Sequence, residues 1–84
     1  DGDVWVADTN NSRIQRFTAA GAFVEAHGTA GDAPGEFRWP DGIAVDATGA
    51  VYVSDTGNGR VQVLRRGRVG LVDAARRWLS SLPR

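Results

Sequence analysis

Residues 2–17, GDVWVADTNNSRIQRF, return 47 positions later as residues 49–64, GAVYVSDTGNGRVQVL. Eight of the sixteen pairs are identical: Gly2/Gly49, Val4/Val51, Val6/Val53, Asp8/Asp55, Thr9/Thr56, Asn11/Asn58, Arg13/Arg60 and Gln15/Gln62. Others are conservative, such as Trp5/Tyr52 and Ile14/Val61. Self-similarity at a fixed spacing means one supersecondary unit used more than once, and such a unit buries its apolar face only against a neighbour. In 84 residues there is room for fewer than two periods.

The segments inside each period are short and β-like. Val4–Ala7 and Val51–Ser54 are apolar at alternating and intervening positions alike, the pattern of a strand dry on both faces. Gly42–Asp46 predicts a further strand, and Asp46-Ala47-Thr48-Gly49 a tight turn into the next, with glycine supplying positive φ. Ile14–Phe17 and Val61–Leu64 form a third strand type, and Ala22–Ala26 a fourth. The Gly/Pro-rich stretch from His27 to Gly35 is a connector that is neither helix nor central strand. Four strands in a period of this length predict propeller blades.

The run GEFRWPDGIAVDATGAVYVSDTGNGRVQVL (35–64), with DVWVADTNNSRIQRF (3–17), resembles the NHL repeat family. The resemblance rests on Phe37, Pro40, Gly42-Ile43-Ala44-Val45-Asp46, Gly49-x-Val51-Tyr52-Val53-x-Asp55 and Asn58-x-Arg60-Val61-Gln62, and covers residues 2–67. It implies an all-β fold of antiparallel propeller blades in a six-bladed parent. The predicted organisation is a partial blade with its connector over residues 1–34 (strands B, C and D, without the inner strand A) and a second blade over 35–72, its fourth strand at Arg68–Val72. A short amphipathic helix over 73–84 follows. Asp73 is a suitable N-cap, Ala75, Trp78, Leu79 and Leu82 share one helical face, and Pro83 is a stop.

The charge balance of +0 conceals two opposed halves. Residues 1–59 carry three Arg against nine acids, net −6, and residues 60–84 seven Arg against Asp73, net +6. All ten basic residues are Arg, which with the Ala, Gly and Asp richness suggests a bacterial coding bias. A hydrophobic content of 42% excludes disorder, and no apolar run approaches the ~20 residues of a membrane span. There is no Cys, so disulfides and thiolate chemistry are excluded, while cytoplasmic, periplasmic and extracellular settings all stay open. The first residue is Asp1, so a processed, truncated or excised chain is expected.

Asp8 and Asp55 are the most tempting carboxylates, but they repeat, and catalytic groups need appear only once. The structural reading is that each accepts backbone N–H groups of the turn that follows, with Arg13 and Arg60 returning to pair. Asp8, Asn11, Arg13, Asp46, Asp55, Asn58 and Arg60 are therefore assigned to turn and repeat architecture. His27, the one histidine, is taken as a loop residue, because a zinc site needs three or four ligands. In propeller lyases that resemble NHL proteins, metal-binding His residues sit in blade loops; here Asp41 occupies such a place. A Ser54/Asp55/His27 triad fails because neighbouring strand residues point to opposite faces. Gly28, Gly31 and Gly35 lack the Lys-Ser/Thr of a phosphate loop. Arg65, Arg66 and Arg68 form a candidate basic contact patch, but no aromatic residues interleave with them, so nucleic acid is disfavoured.

No catalytic residue, metal or cofactor is assigned. The expected role is a non-catalytic scaffold that binds a protein, peptide or saccharide through loops at one end of the blades. The alternatives are a piece of a metal-dependent propeller lyase or hydrolase, and an RNA-binding propeller. Because an open blade face leaves apolar side chains in water, further blades are expected as partners, from the same parent chain or from other copies.

Overall fold

The computed structural model describes residues 2–67 and 70–76, with side chains through Arg65. Seven strands form two antiparallel sheets. The first is β1 (Val4–Asp8), β2 (Arg13–Phe17) and β3 (Phe23–His27), in that order. The second is β4 (Pro40–Val45), β5 (Val51–Asp55), β6 (Arg60–Gly67) and β7 (Gly70–Arg76). The strands pair in chain order because each connection is a short hairpin. The first sheet has no counterpart of β4 at its β1 edge among the described residues.

The repeat is also a repeat of register. Asp8 faces Arg13 and Val6 faces Gln15 in the first sheet; Asp55 faces Arg60 and Val53 faces Gln62 in the second. Both hairpins turn through one 3-10 turn, Thr9–Asn11 or Thr56–Asn58, followed by a left-handed residue. That residue is Gly59 (φ 63°) in one hairpin and Ser12 (φ 54°) in the other. Side chains alternate across each sheet, so each has two distinct faces. One carries Asp8, Arg13, Gln15, Val4, Val6 and Phe17, or their counterparts Asp55, Arg60, Gln62, Val51, Val53 and Leu64. It is called the front below.

The sheets stack back to front. Ile14 and Trp5, on the back of the first, join Val51, Val53 and Leu64 on the front of the second, with Phe37 from the connector and Ile43 from β4 completing the core. Each such side chain contributes about 1.5–3 kcal/mol on removal from water. Trp5, Arg16 and Glu25 lie side by side across the back of the first sheet. The Arg16 guanidinium sits 5.6 Å above the Trp5 ring and bonds Asp3 and Glu25. Those carboxylates raise its pKa, Glu25 most strongly.

Three expectations are corrected. β1 is not dry on both faces: Val4 is 49% and Val6 37% exposed, because among the described residues no sheet packs on the front of the first sheet. The helix placed from Asp73 is not formed at its start. Asp73–Arg76 belong to β7, which begins later than the expected Arg68–Val72 strand and extends beyond it. Continuous pairing with β6 supplies non-local hydrogen bonds, whereas a helix of about ten residues is marginal alone. The rest of the helix prediction, 77–84, lies outside the described residues. Finally, the strand placed at 42–46 starts earlier, at Pro40, and Asp46 stands in the turn.

There Asp46 accepts from the backbone and hydroxyl of Thr48, at 2.8 and 2.6 Å, from the Ala50 amide at 3.1 Å, and from the Tyr52 hydroxyl at 3.1 Å. These donors, the Thr48 hydroxyl first, lower its pKa to about 2. A carboxyl depressed in the folded state adds stability above its unfolded pKa and loses it as pH falls through the folded one. Acid unfolding monitored by circular dichroism is therefore expected to show a stability loss between about pH 4 and about pH 2 that Asp46→Asn flattens. The left-handed positions predict opposite effects in the two hairpins. In urea titrations Ser12→Gly raises the unfolding free energy by about 0.4–1 kcal/mol, and Gly59→Ala lowers it by about 1 kcal/mol or more.

Candidate functional site

Two constructions meet at the end of the sheets where the 3-10 turns lie: a hydrogen-bond clamp and an open groove beside it.

The clamp is built on Asp55, which ends β5 and is fully buried. Its carboxylate accepts from Asn58 Nδ2 at 2.9 Å, Arg60 Nε at 2.8 Å and Gln62 Nε2 at 3.0 Å, and from the backbone N–H of Arg38 at 2.7 Å. Arg60, 2% exposed, then grips the connector: it donates to the carbonyls of Asp32, Ala33 and Glu36 at 2.9–3.0 Å. Asn58 donates to the Gly31 carbonyl; Gln62 donates to the Glu36 carbonyl and accepts from the Gly35 amide. A buried ion pair is tolerable only when the remaining donors and acceptors are largely satisfied; here four of the five Arg60 N–H groups and both Asp55 oxygens have partners. The expected donors to Asp55 and Asp8, the backbone amides of the following turn, make no such bond. The turn instead aims Asn58 and Arg60 back at the carboxylate.

In the first sheet the same side chains assemble with, among the described residues, no connector over them. Asp8 accepts from Asn11 at 3.1 Å, Arg13 at 2.8 Å and Gln15 at 3.1 Å. Its pKa is lowered, by Arg13 first and then Asn11. The Arg13 side chain is 42% exposed, against 2% for Arg60. The two clamps differ in what covers them, not in their internal bonding.

The groove, about 320 Å³, runs between the first hairpin turn and the segment entering β4. Thr9, Asn10 and Ser12 form one wall; Arg38, Trp39 and Gly57 form the other. The second wall is held by the clamp. The Arg38 amide is bound by Asp55, and its carbonyl accepts from the Gly57 amide at 2.7 Å. A Cβ on Gly57 would come 2.7 Å from Arg38, which accounts for glycine there. On the far side of Trp39, the Pro40 carbonyl accepts from the Thr9 hydroxyl at 2.8 Å. Held on both sides, Trp39 adopts φ 51° and is 60% exposed. Composition and repeat matching pass over it, because the position has no partner 47 residues away; the one signal in the sequence is a Trp before Pro inside a polar loop.

The other candidates lie elsewhere. His27 closes β3 rather than lying in the loop, and its Nε2 is 2.9 Å from Glu25 Oε1. Among the described residues, no three His, Cys, Asp or Glu side chains gather as a metal site. Arg65 is exposed at the opposite end of β6 from Arg60, Arg66 falls in β6, and Arg68 lies outside the described residues. No helix of the described residues is long and apolar enough to cross a membrane.

Antiparallel sheets stacked back to front, each with its own clamp, define repeat blades of the β-propeller kind. The NHL repeat model matches residues 1–17 and 37–64. NHL repeat-containing protein 3 of Homo sapiens is 32% identical over 65 residues, 74% of this chain and 19% of that protein. The chain belongs to the NHL repeat family and spans about a fifth of that relative's length.

Unequal burial predicts unequal cost. Asp55→Ala strands a buried guanidinium and lowers unfolding free energy by about 3–5 kcal/mol. Asp8→Ala, at the open clamp, lowers it far less. Urea titrations of both variants compare the two directly.

Proposed function

We propose that this segment is a non-catalytic interaction scaffold: the clamps hold successive blades together, and the groove beside Trp39 receives a ligand. The observation that carries the reading is the conformation of Trp39. A left-handed backbone costs a bulky residue about 1–2 kcal/mol, and the usual compensation, burial of the ring, is largely absent at 60% exposure. Strain of this kind persists where surrounding structure over-determines it and concentrates at ligand clamps. Here the bonds to Arg38 and Pro40 impose it, and its effect is to present an indole face beside an exposed guanidinium. The repeated carboxylates, by contrast, are engaged with their own Asn, Arg and Gln neighbours.

Trp39→Gly separates structure from function. Glycine relieves the strained φ, so the thermal midpoint is expected to hold or rise. Binding to immobilised glycan and peptide arrays is expected to fall at least tenfold. Array binding that is absent from the wild-type chain, or unchanged in Trp39→Gly, would count against the proposal.

A further inference from the structure

Two residues of the groove fall where the two repeats differ. Asn10 and Ser12 stand where the second repeat has Gly57 and Gly59, although both turns have the same 3-10 form and the same left-handed residue after it. The first turn thus carries two polar side chains that the repeat does not require. Among the described residues, Ser12 and Trp39 are the two non-glycine residues with positive φ, and both line this groove. Ser12 takes the left-handed conformation that Gly59 takes in the second turn, so the strain particular to this groove is that of Trp39.

The lining specifies a chemistry. Arg38 is its one charged residue, and no carboxylate among the described residues forms an ion pair with it. Trp39 offers an open aromatic face; Asn10, Ser12 and Thr9 offer an amide and hydroxyls; Ala30 is the one aliphatic side chain. An apolar peptide anchor finds no dry pocket there. A flat ring with polar edges does: its C–H face stacks on the indole and its hydroxyls meet the amide and hydroxyl rim. The volume, near the small end of the ~300–1,000 Å³ of ligand pockets, suits one such ring. A carboxylate seated on Arg38 is governed by that local cation, since exposed charges farther off than a Debye length of ~8–10 Å are largely screened.

We propose that the groove binds an acidic saccharide: one pyranose ring stacked on Trp39, with its carboxylate on the Arg38 guanidinium. This rests on the groove being a ligand site, as argued above, and adds the class of ligand.

The test is NMR titration of the full chain with trigalacturonate and, in parallel, uncharged galactotriose. The readout is the Trp39 indole N–H resonance, identified as the signal missing from Trp39→Phe. The expected result is a saturable shift with trigalacturonate. Affinity weakens about tenfold in Arg38→Gln, in keeping with loss of one charge-assisted contact, and by a similar factor for galactotriose. Equal binding of both sugars, unaffected by Arg38→Gln, overturns the acidic class while leaving the groove as a neutral-sugar site. No shift with either sugar overturns the saccharide proposal. The groove reading then survives only if array ligands still depend on Trp39, and falls with it if they do not.

Discussion

The described structure depends on the burial of one ion pair. Asp55 and Arg60 sit opposite each other on neighbouring strands, 2.8 Å apart and nearly inaccessible to water, where an unpaired charge would cost several kcal/mol. The pair is tolerable because it is not isolated. Asp55 takes four donors, and Arg60 directs three further N–H groups to three carbonyls of the connector. In this way a loop rich in glycine and poor in apolar residues, unable to pack by itself, acquires a defined path. Phe37 at its end is carried into the core between the sheets.

The same bonds set up the groove. Asp55 holds the Arg38 amide, Gly57 the Arg38 carbonyl, and Thr9 of the first sheet the Pro40 carbonyl. Trp39 has no freedom left to relax and turns outward. The repeated residues thus make the scaffold, and Arg38 and Trp39 line the groove together with Asn10 and Ser12, where the first turn differs from Gly57 and Gly59 of the second.

Much of the fold was legible because a 47-residue self-match and short apolar runs bounded by turn residues are both local features of sequence. The positions of β1, β2, β3 and β5 and the hairpin at Asp46 follow from them, as does the pairing of Asp8 with Arg13 and Asp55 with Arg60. What misled was chemistry that depends on distance. The next turn's backbone amides are the local donors for an Asx residue, but Asp55 takes the amide of Arg38, seventeen residues earlier, and the side chains of Asn58, Arg60 and Gln62. Asp73 looks like a helix cap in isolation, yet a free β6 edge outcompetes a short helix. Trp39 carried no periodic signal at all.

The amino-acid sequence by itself determined the repeat, most of the strands, the family and the Asp, Asn and Arg of each clamp, since these follow from spacing and side-chain type. Only the tertiary structure decided how the Asp55 clamp is closed, because the connector over it is gripped by Asn58, Arg60 and Gln62 from more than twenty positions away. It also decided that Trp39 faces water beside Arg38, since that conformation is imposed by hydrogen bonds from residues far along the chain.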